Sequence, residues 1–281
     1  MQSIRCLAAF FALLAPASLI TAVQAQVPAP PPASPAPPST APPSLDLLPL
    51  RKALKPLAGG GMLESRSNFQ MTGSKQGISF TFREDAKITA KRPGRFRAEL
   101  TQMAADNTPQ KRLLVISNGL KVWTYRPGTR QYSITSYKAF EAANNDVTAL
   151  GLAVGGFFLG DGHPLAEGFQ GLTKDNSADV LSALAGMGVT LSSKVEAVDN
   201  EDDLTYSMNL TKQGLMYQFI VDSADGILRR VELSGAQKGV NIAFREGITH
   251  LAAITDLPKD TFVFTPPPGA VKVPTLSVDP F

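Results

Sequence analysis

The chain has 281 residues, 43% hydrophobic and 18% charged, enough apolar material for a sizeable core. Lys and Arg number 27 against 24 Asp and Glu, a balance that gives no electrostatic case for a nucleic-acid partner. Two histidines and one cysteine are too few for a His/Cys metal cluster.

Met1 to Ala25 reads as a secretory signal peptide. Arg5 supplies the positive start, Leu7 to Ile20 the apolar core, and Val23-Gln24-Ala25 a cleavage site after Ala25. The core contains Pro16 and is short for a span of roughly 20 residues. Cys6 precedes the apolar core, so it is not the lipidated cysteine of a lipoprotein. Removing Arg5 takes the 27 basic residues to 26, against 24 acidic. The mature protein is therefore expected in the periplasm or outside the cell, without disulfides and dependent on its own core. Residues 26–43, centred on VPAPPPASPAPPSTAPP, read as a proline-rich disordered linker, extended over roughly 50 Å at about 3.1 Å per residue. It is either a plain lead sequence or a spacer that a partner could bind. Residues 44–281 form the folded domain.

In Ser44 to Leu57, Leu47, Leu50, Leu54 and Leu57 recur at three- and four-residue steps, one face of a helix. Pro56 and Gly59-Gly60-Gly61 mark its end. Strands follow in Leu63 to Met71 and in Gly77 to Phe82, where Ile78, Phe80 and Phe82 alternate with Ser79 and Thr81. The block from Lys87 to Ile134 is a meander. Ile88, Ala90, Phe96, Ala98 and Leu100 alternate with charged residues around a Pro93-Gly94 break. Leu113 to Ile116, the turn Ser117-Asn118-Gly119, Lys121 to Tyr125 and a strand at Tyr132 and Ile134 complete it. The basic residues Lys87, Lys91, Arg95 and Arg97 belong to its solvent face.

From Tyr137 to Met187 the period changes. Lys138 to Leu150 and Asp179 to Met187 read as helices, and the glycine-rich apolar run Leu150 to Leu159 as a lid. Strands resume over Val189 to Val198, Leu204 to Leu210, Tyr217 to Val221, Ile227 to Ser234 and Val240 to Phe244. Phe262-Val263-Phe264 reads as the last. The expected fold class is mainly β (α+β): one curved antiparallel sheet with helices on its concave side.

Three segments then carry a resemblance: Lys91-Arg92-Pro93 followed by Phe96; Leu114-Val115-Ile116-Ser117-Asn118-Gly119 with Trp123 and Tyr125; and Phe262 to Ala270, FVFTPPPGA. In this order the chain resembles the LolA family of periplasmic lipoprotein carriers and its uncharacterised periplasmic relatives, over most of Ser44 to Val273. The resemblance implies an open, unclosed β-barrel with a helical lid over an apolar cavity. It also implies that Arg92 hydrogen-bonds the lid and holds it shut. The long Tyr137 to Met187 segment and the short apolar tail from Val271 to Phe281 depart from the carriers.

No chemistry stands out. There is no G-x-S-x-G; His163 lies in a Gly-Asp-Gly-His-Pro turn and His250 in a strand-like run. Glu84-Asp85 and Glu201-Asp202-Asp203 read as solvated strand ends without the spacing of a Ca²⁺ loop. The expectation is therefore no catalytic residue, no metal and no cofactor. Phe69, Phe80, Phe82, Phe96, Trp123, Tyr206, Met208 and Phe219 either fill a core or line a pocket for acyl chains. The function expected is non-enzymatic binding of lipid or lipoprotein acyl chains by a monomer, with a lipid or acylated lipoprotein as partner. The alternative is an envelope interaction or sensor module that recognises a protein with the same fold.

Overall fold

In the computed structural model the alternating runs assemble into one twelve-stranded sheet. It describes residues 45–278 except 60, 76–77, 144, 159–176, 187, 199–200, 212–213 and 238–239. The signal-peptide and linker assignments, and His163, lie outside the described residues.

Six strands come first: β1 (Met62–Lys75), β2 (Ile78–Lys91), β3 (Arg95–Met103), β4 (Pro109–Asn118), β5 (Lys121–Arg126) and β6 (Gln131–Ser136). Five more follow the helical segment: β7 (Val189–Val198), β8 (Glu201–Leu210), β9 (Leu215–Asp222), β10 (Leu228–Gln237) and β11 (Val240–Ala253). The short β12 (Val271–Lys272) comes last. Each run is a meander, and the antiparallel pairing of β1 with β11 welds the two into the order β12-β6-β5-β4-β3-β2-β1-β11-β10-β9-β8-β7. Strands β12 and β7 end the sheet without meeting, so the barrel is unclosed. Among the described residues the one parallel pairing is β12 on β6.

Among the described residues four α-helices accompany the sheet: α1 (Leu48–Gly59), α2 (Tyr137–Ala142), α3 (Asn145–Phe158) and α4 (Ser177–Gly186). Helix α3 touches β1, β2, β3, β10 and β11, and α1 touches β9, β10 and β11, so the sheet curls around both. This is the curved sheet with helices on its concave side expected from the alternation, and the unclosed barrel that the resemblance implies. The leucine stripe of α1 is its buried face: Leu47, Leu50, Leu54 and Leu57 are all in the core. Each contributes about 2 kcal/mol of apolar transfer. Asp46 accepts from the Leu48 N–H at 2.9 Å and starts the helix. Pro56 does not end it; the helix runs on to Gly59.

Side chains of period two divide the sheet into an inner and an outer face. Register places Leu63, Ser65, Ser67, Phe69 and Met71 of β1 opposite Ala90, Ile88, Ala86, Glu84 and Phe82 of β2, all facing inward. The β4–β5 turn is fixed by side chains of its own. Gly119, at φ 89, follows Asn118, whose Oδ1 accepts from Leu120 N at 3.0 Å and Lys121 N at 2.9 Å. The buried Ser117 hydroxyl donates to Gly94 O at 2.6 Å and ties the β2–β3 and β4–β5 turns together.

Three expectations are corrected. Gly77–Phe82 and Lys87–Lys91 are not separate runs but one strand, β2, so Glu84-Asp85 is mid-strand and Glu84 is buried. Asp203 likewise lies in β8 and is buried. Phe262–Phe264 is not a strand: no partner strand continues past β6 on that edge except the two-residue β12, and the segment crosses the outer face as coil. The tail then rounds the edge. Val273 N donates to Tyr132 O at 2.8 Å, Leu276 N to Ser133 Oγ at 3.1 Å, and Val278 joins the inner core.

Candidate ligand-binding site

The inner wall gathers seven of the eight aromatic and methionine positions singled out from sequence. Phe69, Phe82, Phe96, Tyr206, Met208 and Phe219 are buried there, and Phe80 is partly buried against the same cluster with its ring over Gly73. Phe69 sits between Phe82 at 6.0 Å and Phe244 at 5.3 Å, ring centroid to centroid. On the second meander, Tyr206 pairs with Phe219 and Met208 with Tyr217. Burial pushes the Tyr217 hydroxyl up to about 12. Tyr206 also rises to about 12, through burial and then the charge of Asp46, and its hydroxyl donates to Asp46 O at 2.9 Å, holding the chain entering α1.

Trp123 lies apart from these seven. It pairs with Ile116 and Ile134, which face outward, whereas its neighbours Val122 and Thr124 face inward with Ser117 and Val115. On the outer face Trp123, Tyr125 and Tyr132 surround Phe264 at 6.4, 5.9 and 5.5 Å.

The space inside the wall is taken by α3. Ala149, Leu150, Leu152, Ala153 and Val154 are buried in it, and Phe158 reaches Phe96 at 6.0 Å, beside Phe140 of α2 at 5.8 Å. The apolar run read as a lid is thus a plug inside the barrel. It is broken at Gly151, whose φ of 68 and ψ of −176 are non-helical. The break exposes two backbone N–H groups, and Glu246 of β11 receives both. Its Oε2 accepts from Leu152 N at 2.6 Å and Ala153 N at 2.9 Å, capping the second half of the helix.

Arg92 follows the last residue of β2, and its Nη2 donates to Leu57 O in the last turn of α1 at 3.3 Å. Its backbone N–H donates to Gly61 O at 2.9 Å, which fixes the arginine beside that helix end.

Sequence reasoning missed the polar part of the wall. Glu246 is wholly buried, as is Ser65; Ser67 and Glu84 are each about 95% buried, at 5% exposure. Glu84 and Glu246 flank Phe69 on its two neighbouring strands. Burial pushes Glu84 well above its ordinary value, with the Asp85 charge adding to the rise. Burial raises Glu246 too, opposed by the Ala153 N–H, the Ser67 hydroxyl and the Leu152 N–H. Phase was the available signal. Glu246 continues the alternation of Ile242 and Phe244, and Glu84 that of Phe80 and Phe82.

Among the described residues no group of His, Cys, Asp and Glu could hold a metal ion, and no helix is long and apolar enough to cross a membrane. No family model matches the chain, and no curated protein matches it by sequence. Solved structures share its general architecture at low similarity. An uncharacterised conserved protein from Thermus thermophilus is 11% identical, covering 81% of this chain and 97% of its own, with a TM-score of 0.39. LprF from Mycobacterium bovis is 12% identical, covering 76% and 96%, with a TM-score of 0.37. A LolA superfamily protein from Nitrosomonas europaea is 11% identical, covering 77% and 96%, with a TM-score of 0.31. Likenesses of this size carry no argument about ligand or partner.

Proposed function

We propose that this is a non-enzymatic protein of the periplasm or cell exterior that binds an apolar ligand, a lipid or the acyl chains of a lipoprotein, on the inner face of its open barrel. The observation that carries the proposal is the nature of what fills that face. The strands do not close over it with their own side chains. A separate helix, α3, lies in it with Leu150, Leu152 and Val154 buried, and that helix is interrupted at Gly151. An acyl chain offers the wall the same kind of apolar surface that α3 offers, so exchange of one for the other conserves burial at about 25 cal/mol per Å². An exchange that is nearly neutral can be tipped by a few hydrogen bonds. Those are the Glu246 cap on α3 and the Arg92 bond to α1, in which Arg92 acts as the latch.

Native mass spectrometry of the protein purified from its own envelope tests this. Co-purified lipid, or uptake of an added single-chain lipid at one-to-one stoichiometry, is the expected result. A protein that emerges and stays lipid-free while retaining a second envelope polypeptide would instead support an interaction module.

A further inference from the structure

A cluster of four polar side chains on three adjacent strands interrupts the apolar inner wall: Ser65 and Ser67 of β1, Glu84 of β2 and Glu246 of β11. Each is more than nine-tenths buried. Ser65 Oγ and Glu84 Oε1 have no hydrogen-bond partner among the described residues, and the Ser67 hydroxyl lies close enough to the Glu246 carboxylate to favour its charged form. Unpartnered buried polar atoms are uncommon, and each carries a desolvation penalty that burial does not return.

Pairing brings the four together. Glu84, Phe69 and Glu246 lie side by side on three adjacent strands, and one step along β1 Ser67 sits between Ala86 and Ile248. With strands about 4.8 Å apart, the two glutamate Cα atoms are roughly 10 Å from each other. Their side chains extend over the same part of the floor, with the Ser67 hydroxyl between them and Ser65 one further step away. The basic residues of the same strands do not serve this patch. Arg66, Arg83, Lys87 and Arg245 fall on the opposite parity and face outward. Among the described residues, helix α3 brings to the patch the N–H groups of Leu152 and Ala153, both bonded to Glu246 Oε2.

We propose that Ser65, Ser67, Glu84 and Glu246 form the head-group subsite of the barrel, and that it takes an amphiphile whose head is a cationic nitrogen with N–H donors. This rests on the apolar-ligand role proposed for the barrel and names the class of ligand. When α3 is withdrawn, both oxygens of Glu246 become available. Glu84 and the two serines then offer further acceptors beneath the chain-binding wall. An ammonium group supplies three donors and the positive charge that the two carboxylates lack among the described residues. A fatty acid brings a third carboxylate to a place that already holds two, where like charges repel in a low dielectric. The subsite therefore selects by charge sign, at constant chain length.

The test is a native mass spectrometry titration of the full mature chain at pH 7 with dodecylamine, dodecanol and dodecanoic acid, each below its micelle concentration. The amine is expected to bind about 10- to 100-fold more tightly than the acid, the range of one charge-assisted hydrogen bond, with the alcohol between them. In the Glu84→Gln, Glu246→Gln double variant the amine should lose its lead over the acid. Equal binding of amine and acid, or preference for the acid, overturns the head-group subsite while leaving apolar-ligand binding in place. Failure of all three to bind overturns both.

Discussion

Gly151 and Glu246 fit each other. The glycine turns the backbone of α3 to a φ of 68, and its missing Cβ leaves the room in which the Glu246 carboxylate reaches the helix. A Cβ there would lie 2.5 Å from Oε1 and 2.7 Å from Cδ of Glu246. Both backbone strain and collision therefore oppose a side chain at 151. Gly151→Ala is expected to lower stability by about 2 kcal/mol or more, from a positive-φ, extended-ψ backbone that glycine alone adopts readily and from displacement of a buried cap. For a domain of this size that is a fall in melting temperature of roughly 4–8 °C. An unchanged melting curve would show that the helix kink is not held by this pair.

The same carboxylate makes the plug sensitive to pH. Burial raises Glu246 above its ordinary value of 4.5, so the closed state binds the proton more tightly than an open or unfolded one. Its favourable share in the closed state is complete below 4.5 and is lost as pH rises through the raised value. Glu84, also raised by burial, acts in the same direction. Asp222 works the other way: its hydrogen bonds, that from Arg229 first, hold it down at about 2, so its contribution is lost only in strong acid. The melting temperature of the parent is therefore expected to decline over the interval above pH 4.5, and Glu246→Gln should flatten that decline. A parent whose melting temperature rises across that interval would contradict the assignment.

How much of this could be read from the chain depends on phase. Alternation of Ile88, Ala90, Phe96, Ala98 and Leu100 identified the wall because apolar and charged residues fell on different parities. The same rule places Glu84, Glu246, Ser65 and Ser67 inside. The polarity of Glu84-Asp85 instead suggests a strand end within what is one strand, and a search for apolar residues passes over Ser65, Ser67 and Glu246. Trp123 failed for the converse reason. Val122, Trp123, Thr124 and Tyr125 are apolar or neutral on both parities, because both faces of β5 are covered, the outer one by Phe264. That cover comes from a segment far along the chain, which no local pattern reveals. Helix α3 was legible as apolar and glycine-rich, but whether it roofs the barrel or fills it depends on tertiary packing.

Trp123 is the only tryptophan in the chain, and its position gives a clean optical test. It stacks on Phe264, outside the barrel. Phe264→Ala should shift tryptophan emission to the red and destabilise by about 1–2 kcal/mol, less than a full core truncation because Phe264 is only partly buried. Binding of a single-chain lipid should leave that emission nearly unchanged. A large emission change on ligand binding, in the parent protein, would mean that the ligand contacts the outer aromatic cluster rather than the inner wall.

Arg92 tests how the barrel is held shut. Its guanidinium donates to Leu57 O at the end of α1, at 3.3 Å. That carbonyl is one of the last in the helix, where no backbone N–H of the next turn is available and the helix dipole favours a positive charge. A hydrogen bond from a charged group is worth about 1.5–3 kcal/mol, and a long one falls towards the lower figure. Such a bond biases α1 without locking it. In Arg92→Leu the sheet should remain intact, because the backbone N–H of residue 92 still donates to Gly61 O. The helices should open more often: amide exchange over Leu47–Leu57 and residues 150–158 should quicken by roughly tenfold, with the β1–β3 amides unchanged. Ligand release should accelerate more than ligand entry. If exchange in both helices is the same in the variant and the parent, with and without lipid, Arg92 does not latch the barrel. The α1 helix is then held by its leucine face alone.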